Sequence, residues 1–110
     1  MRILVTGPDG FVGSSVCQEL VRRDYLVRGA QWNPAPLPKG CESRQVGNID
    51  RHTDWKDVLK DLEVVVHIAA RVHVMNDNAY DPLAAFREVN VEGTRQLAEC
   101  AAAAGVQHFL

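Results

Sequence analysis

The run Thr6-Gly7-Pro8-Asp9-Gly10-Phe11-Val12-Gly13 directly follows a short apolar stretch, Ile3-Leu4-Val5, and it constrains the chain more than any other feature. It reads as a strand, a tight turn and the start of a helix. Glycines at 7, 10 and 13 give the spacing G-x-x-G-x-x-G. A tight turn needs backbone angles that glycine takes without cost, and a backbone that approaches a pyrophosphate closely has no room for Cβ. The helix that follows aims its free N–H groups and the positive end of its dipole at the phosphates. Phe11, Val12, Val16, Leu20 and Val21 recur near the helical period, which supports the helix. A dinucleotide site follows, with NAD or NADP as the ligand. The plainer alternative is a strand-turn-helix whose glycines serve packing alone.

The length of 110 residues allows one domain or part of one. At 46% hydrophobic and 24% charged residues, the composition is that of an ordinary globular protein. The net charge of −2, with Lys and Arg scattered, argues against a nucleic-acid surface. No basic leader with a long apolar stretch opens the chain, and Val64 to Ala70, interrupted by His67, is too short to span a bilayer. Cys17, Cys41 and Cys100 have no metal spacing and read as structural thiols in a reducing, cytoplasmic setting. His52, His73 and His108 share no ligand spacing, so no metal is expected.

The pattern predicts a second strand over Tyr25 to Gln31. Pro34, Pro36 and Pro38 then exclude helix and ladder, leaving an exposed connection. A third strand is expected over Cys41 to Val46, and a short amphipathic helix over Asp54 to Leu62 with Asp54 as its cap. Val64 to Ala70, nearly all apolar, reads as a central parallel strand buried on both faces. Arg71 to Asp81 reads as a polar loop. Pro82 opens a long helix from Leu83 to about Ala104, ended by Gly105, and Val106 to Leu110 begins a fifth strand. The expected fold is therefore α/β, a doubly wound parallel sheet in the order β-α-β-β-α-β-α-β. The cofactor should lie across the carboxyl ends of the first, second and fourth strands.

Four pieces carry a resemblance: T-G-x-x-G-F-V-G at 6–13, H-I-A-A-R at 67–71, V-N-V-E-G-T at 89–94 and A-A-A-x-G-V-x-x-F at 101–109. Together they resemble the extended short-chain dehydrogenase/reductase superfamily, in its NAD-dependent epimerase/dehydratase branch. The stretches H-I-A-A-R-V-H-V-M-N-D and D-P-L-A-A-F-R-E-V-N-V-E-G-T look most like bacterial nucleotide-sugar 4-epimerases and 4-ketoreductases. The resemblance implies that Gly7, Gly10 and Gly13, with the amides of Phe11 and Val12, hold the pyrophosphate. It implies that Ala69, Ala70 and Arg71 line the ribose and nicotinamide side. Asn90 would be the long-helix asparagine beside the cofactor, against the alternative of an asparagine that bonds only backbone. His67, between apolar residues of a strand, reads as a satisfied core histidine.

Some positions depart from the family pattern. The acid that reads the adenosine ribose after the second strand is replaced by Gln31, and the basic residue of many NADP-using relatives by Trp32. Neither discriminates by charge. Arg28 lies upstream, its reach open. The balance tips to NAD, because a phosphate buried without a cation is costly. Asn48, before Ile49 and Asp50, stands where relatives carry an acid against the adenine amino group, and its carbonyl can accept that bond. Asp9 either caps the first helix or brings a charge near the phosphates.

The resemblance also implies catalysis by a Ser or Thr after the fifth strand and a Tyr-x-x-x-Lys pair farther on. Tyr25 and Tyr80 are followed four residues later by Gly29 and Ala84, so neither supplies it. The expectation is an N-terminal cofactor-binding portion, residues 1–110, without the catalytic half or the substrate domain. It would not itself catalyse. Its parent would pass a hydride between nicotinamide and a carbon of a nucleotide sugar. The alternative is a non-catalytic dinucleotide-binding or redox-sensing module. A fifth strand left open at the sheet edge predicts pairing with another copy, as a homo-oligomer, or with more chain.

Overall fold

The computed structural model describes residues 1–33, 35–70 and 81–110. Five parallel strands form one sheet in the order β3-β2-β1-β4-β5. They are β1 (Arg2–Thr6), β2 (Leu26–Gln31), β3 (Cys41–Gln45), β4 (Val64–His67) and β5 (His108–Phe109). The order turns back at β1, which pairs with β2 on one side and β4 on the other. That reversal opens the crevice at the carboxyl ends of β1, β2 and β4, as the sequence predicts.

Alternation along β1 builds two cores. Ile3 and Val5 pack with Cys17, Val27 and Val64 beneath α1 (Phe11–Arg22). Leu4 points the other way, into Ala30, Trp55, Leu59, Val65 and Leu97. Val64 and Val65 therefore bury opposite faces of β4, the two-sided burial expected of a central parallel strand.

The long helix begins as expected, with Pro82 in its first turn and the Asp81 carboxylate accepting from the Ala84 amide. It is not uniform. After α2 (Pro82–Arg87) the backbone widens into a π-helical segment, Glu88–Gly93, before resuming as α3 (Thr94–Ala103). A Cβ on Gly93 would stand 3.1 Å from the Ile49 carbonyl oxygen. The wide segment thus brings bare helix backbone against the loop after β3.

Several expected elements are shorter than the pattern suggests: β2 and β3 each lack one terminal residue, and β5 is His108–Phe109 rather than Val106 to Leu110. The helix predicted over Asp54 to Leu62 is a string of turns, with one i→i−4 bond from the Leu59 amide to the Trp55 carbonyl at 2.9 Å and one i→i−3 bond from the Lys60 amide to the Asp57 carbonyl at 3.4 Å. Its carbonyls are claimed from elsewhere: the Arg28 guanidinium donates to Val58 O at 2.7 Å and to Lys60 O at 2.9 Å. Asp54 caps only a turn, accepting from the Lys56 amide at 3.0 Å. β4 ends at His67 rather than Ala70 because the Thr6 hydroxyl captures the Ile68 and Ala69 amides, both at 3.0 Å.

Candidate functional site

The glycine turn is built from three different requirements. Gly7 has φ +66°, the left-handed region, and a Cβ there would also press on the Ala69 backbone at 3.1 Å. Gly13 is a close approach: its Cβ would lie 1.8 Å from Gly7 O. Gly10 is neither. It is the N-cap of α1 at φ −78°, and the nearest protein atom to a Cβ there, Gly7 O, is 3.6 Å away. Among the described residues nothing forbids a side chain at Gly10. It follows Asp9, which lines the crevice, but Gly10, Phe11 and Val12 are not themselves part of that lining. Phe11 and Val12 follow in the first turn of α1, where amides have no carbonyl one turn back within the helix. Among the described residues no side chain caps this end, so Asp9 is not the helix cap.

Between this turn and the long helix lies a cavity of about 610 Å³ at the carboxyl ends of the strands. Gly7 and Asp9 form one wall, Ala30 and Trp32 the β2 end, Asn48 and Ile49 the loop after β3. Ala69 and Ala70 close the β4 side, and Ala85, Glu88 and Val89 cover it from the long helix. The side chain of Asn48 makes no hydrogen bond to any described residue and is exposed. Asn90 lies half-buried in the π-helical segment, next to Val89 of the lining. Arg71 lies outside the described residues.

Gln31 is placed differently from the expectation. It is 1% exposed and absent from the cavity lining. Its amide nitrogen donates to Ala35 O at 3.0 Å and its amide oxygen accepts from the Ser43 hydroxyl at 2.5 Å. The glutamine holds the proline-rich connection to β3 and, buried, presents no group to the cavity. Trp32 is the side chain that reaches the cavity, and it is 65% exposed. Arg28 is also accounted for: besides the two carbonyls it meets Glu42 at 3.2 Å, across the β2–β3 register. It sits under the sheet and does not line the cavity.

His67 is the satisfied core histidine that the sequence predicts, in a network that the sequence does not reveal. The Thr6 hydroxyl accepts from the Ile68 and Ala69 amides, so its one proton goes to His67 Nδ1, 2.7 Å away. Nε2 therefore carries the ring proton and donates to Thr94 Oγ1 at 3.0 Å. Burial lowers the imidazole pKa, which keeps this neutral form. The network ties β1, the end of β4 and α3 together directly beneath Ala69 and Ala70. The thiols are structural too. Burial, then the neighbouring Cys41 thiol, push Cys17 up to about 12, and burial raises Cys41 and Cys100. Among the described residues no group of His, Cys, Asp and Glu is placed to hold a metal, and no helix is long and apolar enough to cross a membrane.

The geometry fits a nicotinamide dinucleotide: an open glycine cradle at a helix N-terminus, a crevice at the strand-order reversal, and small residues where a nucleotide would press on β4. Comparison with known proteins agrees. The family model for the NAD dependent epimerase/dehydratase family matches residues 3–110. A UDP-glucose 4-epimerase of Vibrio cholerae is 42% identical over 98% of this chain and 33% of its own length. A 3-beta-hydroxysteroid dehydrogenase of Mycolicibacterium neoaurum is 34% identical over 99% of the chain and 31% of its own length. Among solved structures, a short-chain dehydrogenase/reductase superfamily protein from Agrobacterium tumefaciens with bound NAD superposes with a TM-score of 0.75 at 33% identity. That match covers 99% of this chain and 31% of the other. The chain spans about a third of the length of these two curated relatives.

Proposed function

The chain belongs to the NAD dependent epimerase/dehydratase family, and from that premise we propose that it is the nicotinamide-dinucleotide-binding portion of an enzyme acting on a nucleotide sugar. The reaction would be an epimerisation, dehydration or keto reduction. The single observation that carries this reading is the division of labour among the glycines. Gly7 and Gly13 are glycine because the protein itself crowds them, whereas no described residue crowds Gly10. A bare backbone beside an open crevice at a helix N-terminus is what a pyrophosphate needs.

When bound, the cofactor supplies or accepts a hydride. The residues of this chain bind and orient it. The first-turn amides of Phe11 and Val12 take the pyrophosphate, Asn48 takes the adenine amino group through its side-chain oxygen, and Ile49 packs beside the ring. Ala69 and Ala70 leave room for the nicotinamide half, on a strand end that the Thr6–His67–Thr94 network holds in place. In the family reading the proton-transfer and sugar-binding groups are not among these 110 residues, so the binding portion alone would not turn over substrate. The nucleotide sugar is supported by the Vibrio cholerae relative, named as an epimerase of UDP-glucose.

The test is isothermal titration calorimetry of the full-length protein with NAD and NADP, followed by assay of sugar-nucleotide turnover. Saturable one-site cofactor binding and interconversion of a 4-epimeric UDP-sugar pair are expected. Absence of binding to both cofactors would overturn the reading.

A further inference from the structure

We infer that Asp9, in the glycine turn, is the group that selects NAD over NADP by accepting a hydrogen bond from the adenosine 2′-hydroxyl and repelling a 2′-phosphate. The inference rests on the dinucleotide reading above and deepens it. It begins from a vacancy of function at the usual place. The residue at the end of β2 that would read the ribose is Gln31, which is buried, with its amide bonded to Ala35 O and the Ser43 hydroxyl, and does not line the cavity. Trp32 reaches the cavity but offers only an indole N–H donor, with no acceptor and no charge. Arg28, the nearest cation along β2, is committed to Glu42 and to the carbonyls of Val58 and Lys60.

The charged side chains that line the cavity among the described residues are Asp9, Asp50 and Glu88, all acidic. Two of them are occupied. Glu88 holds Arg51, with contacts of 2.8 and 3.0 Å, and accepts its amide as well. Asp50 Oδ1 accepts from the His52 amide at 2.7 Å. The Asp9 carboxylate has no hydrogen-bond partner among the described residues, and it does not cap α1. It lines the same cavity as Trp32 at the β2 end and Asn48 in the loop after β3, and a ribose extending from the pyrophosphate toward that loop would pass between them. A free carboxylate there is a charge-assisted acceptor for a sugar hydroxyl. A 2′-phosphate carries close to two negative charges at neutral pH and would face the unpartnered Asp9 carboxylate with no lining cation among the described residues.

The experiment measures NAD and NADP dissociation constants for the full-length wild type, Asp9→Asn and Asp9→Ser by calorimetry, with melting temperatures alongside. Wild type should prefer NAD by about 100-fold, some 2.7 kcal/mol. Either substitution should weaken NAD several-fold and tighten NADP at least about 10-fold, so that the preference collapses while melting stays unchanged, as expected of an exposed side chain. Three results overturn the inference: a wild type that binds both cofactors alike, a preference that survives both substitutions, or both cofactors tightening together, which would place the charge on the pyrophosphate. If wild type binds neither cofactor, the dinucleotide reading itself fails, and this result is distinct from the other three.

Discussion

Replacing Gly13 and Gly10 by alanine, one at a time, separates folding from binding within a single turn. At Gly13 the new Cβ would lie 1.8 Å from Gly7 O and 2.7 Å from the Gly7 carbonyl carbon. Ordinary contact is near 3.5 Å or more, and both partners are backbone, so the turn must move away from α1. Overpacking of this kind costs about 1–3 kcal/mol, and a backbone clash this deep belongs at or above the upper end. For a domain near 100 residues, about 3 kcal/mol lowers the melting temperature by roughly 12–24 °C. At Gly10 the Cβ meets Gly7 O at 3.6 Å and nothing closer. The backbone there is extended, φ −78° and ψ 174°, which alanine adopts freely. Alanine is a slightly poorer N-cap than glycine, and the reduced freedom of the unfolded chain offsets this, so the net stability change stays within about 1 kcal/mol. The methyl group nevertheless fills the space the pyrophosphate would occupy, and NAD affinity should fall at least about 10-fold, equivalent to 1.4 kcal/mol. Thermal unfolding by circular dichroism reads the first effect and calorimetry the second. A Gly13→Ala protein melting within about 4 °C of wild type, or a Gly10→Ala protein with wild-type NAD affinity, would refute the division of labour.

Three further outcomes are expected. Removing the Arg28 guanidinium by Arg28→Met strands the Val58 and Lys60 carbonyls and should cost about 2–4 kcal/mol in urea unfolding, while the NAD-to-NADP preference stays as in wild type; a shifted preference would show that Arg28 reads the ribose after all. Cofactor binding should change the fluorescence of exposed Trp32 and not of buried Trp55, so Trp32→Phe should abolish the signal but retain binding by calorimetry. Burial lowers the folded-state pKa of His67 below its usual value near 6.5. The unfolded chain therefore binds the proton first as pH falls, and the contribution of His67 is intact above about 6.5 and lost as pH drops from there toward the folded pKa. His67→Gln should flatten that part of the stability–pH curve, and an unchanged slope would remove His67 as its source.

Most of the frame is legible in local pattern. Ile3-Leu4-Val5 before a glycine turn, the apolar Val64–Val66 run and Pro82 at a helix start each declare their element, and their alternation dictates the parallel sheet and its crevice. What local pattern misses is set by partners distant in sequence. Asp54 to Leu62 has a helical spacing of apolar residues, and it does bury Trp55, Val58, Leu59 and Leu62. Arg28, thirty residues before Val58, takes the Val58 carbonyl that a helix would use. Gln31 stands at the position of a cofactor reader, yet its amide is turned into the protein by Ala35, four residues on, and by Ser43, which the folded β2–β3 pairing brings near. The π-helical turn over Glu88–Gly93 has no periodic signature either. Its visible trace is Gly93, whose missing side chain admits Ile49.

The central claim is that the backbone of the glycine turn holds a dinucleotide in the crevice between β1, β2 and β4. A crystal structure of the full-length protein with NAD tests it most directly. The account predicts pyrophosphate oxygens within hydrogen-bond distance, about 2.7–3.2 Å, of the Phe11 and Val12 amides, with the adenine against Asn48 and Ile49 and the nicotinamide half toward Ala69 and Ala70. NAD bound outside this crevice, or a pyrophosphate held away from Gly10, would contradict it.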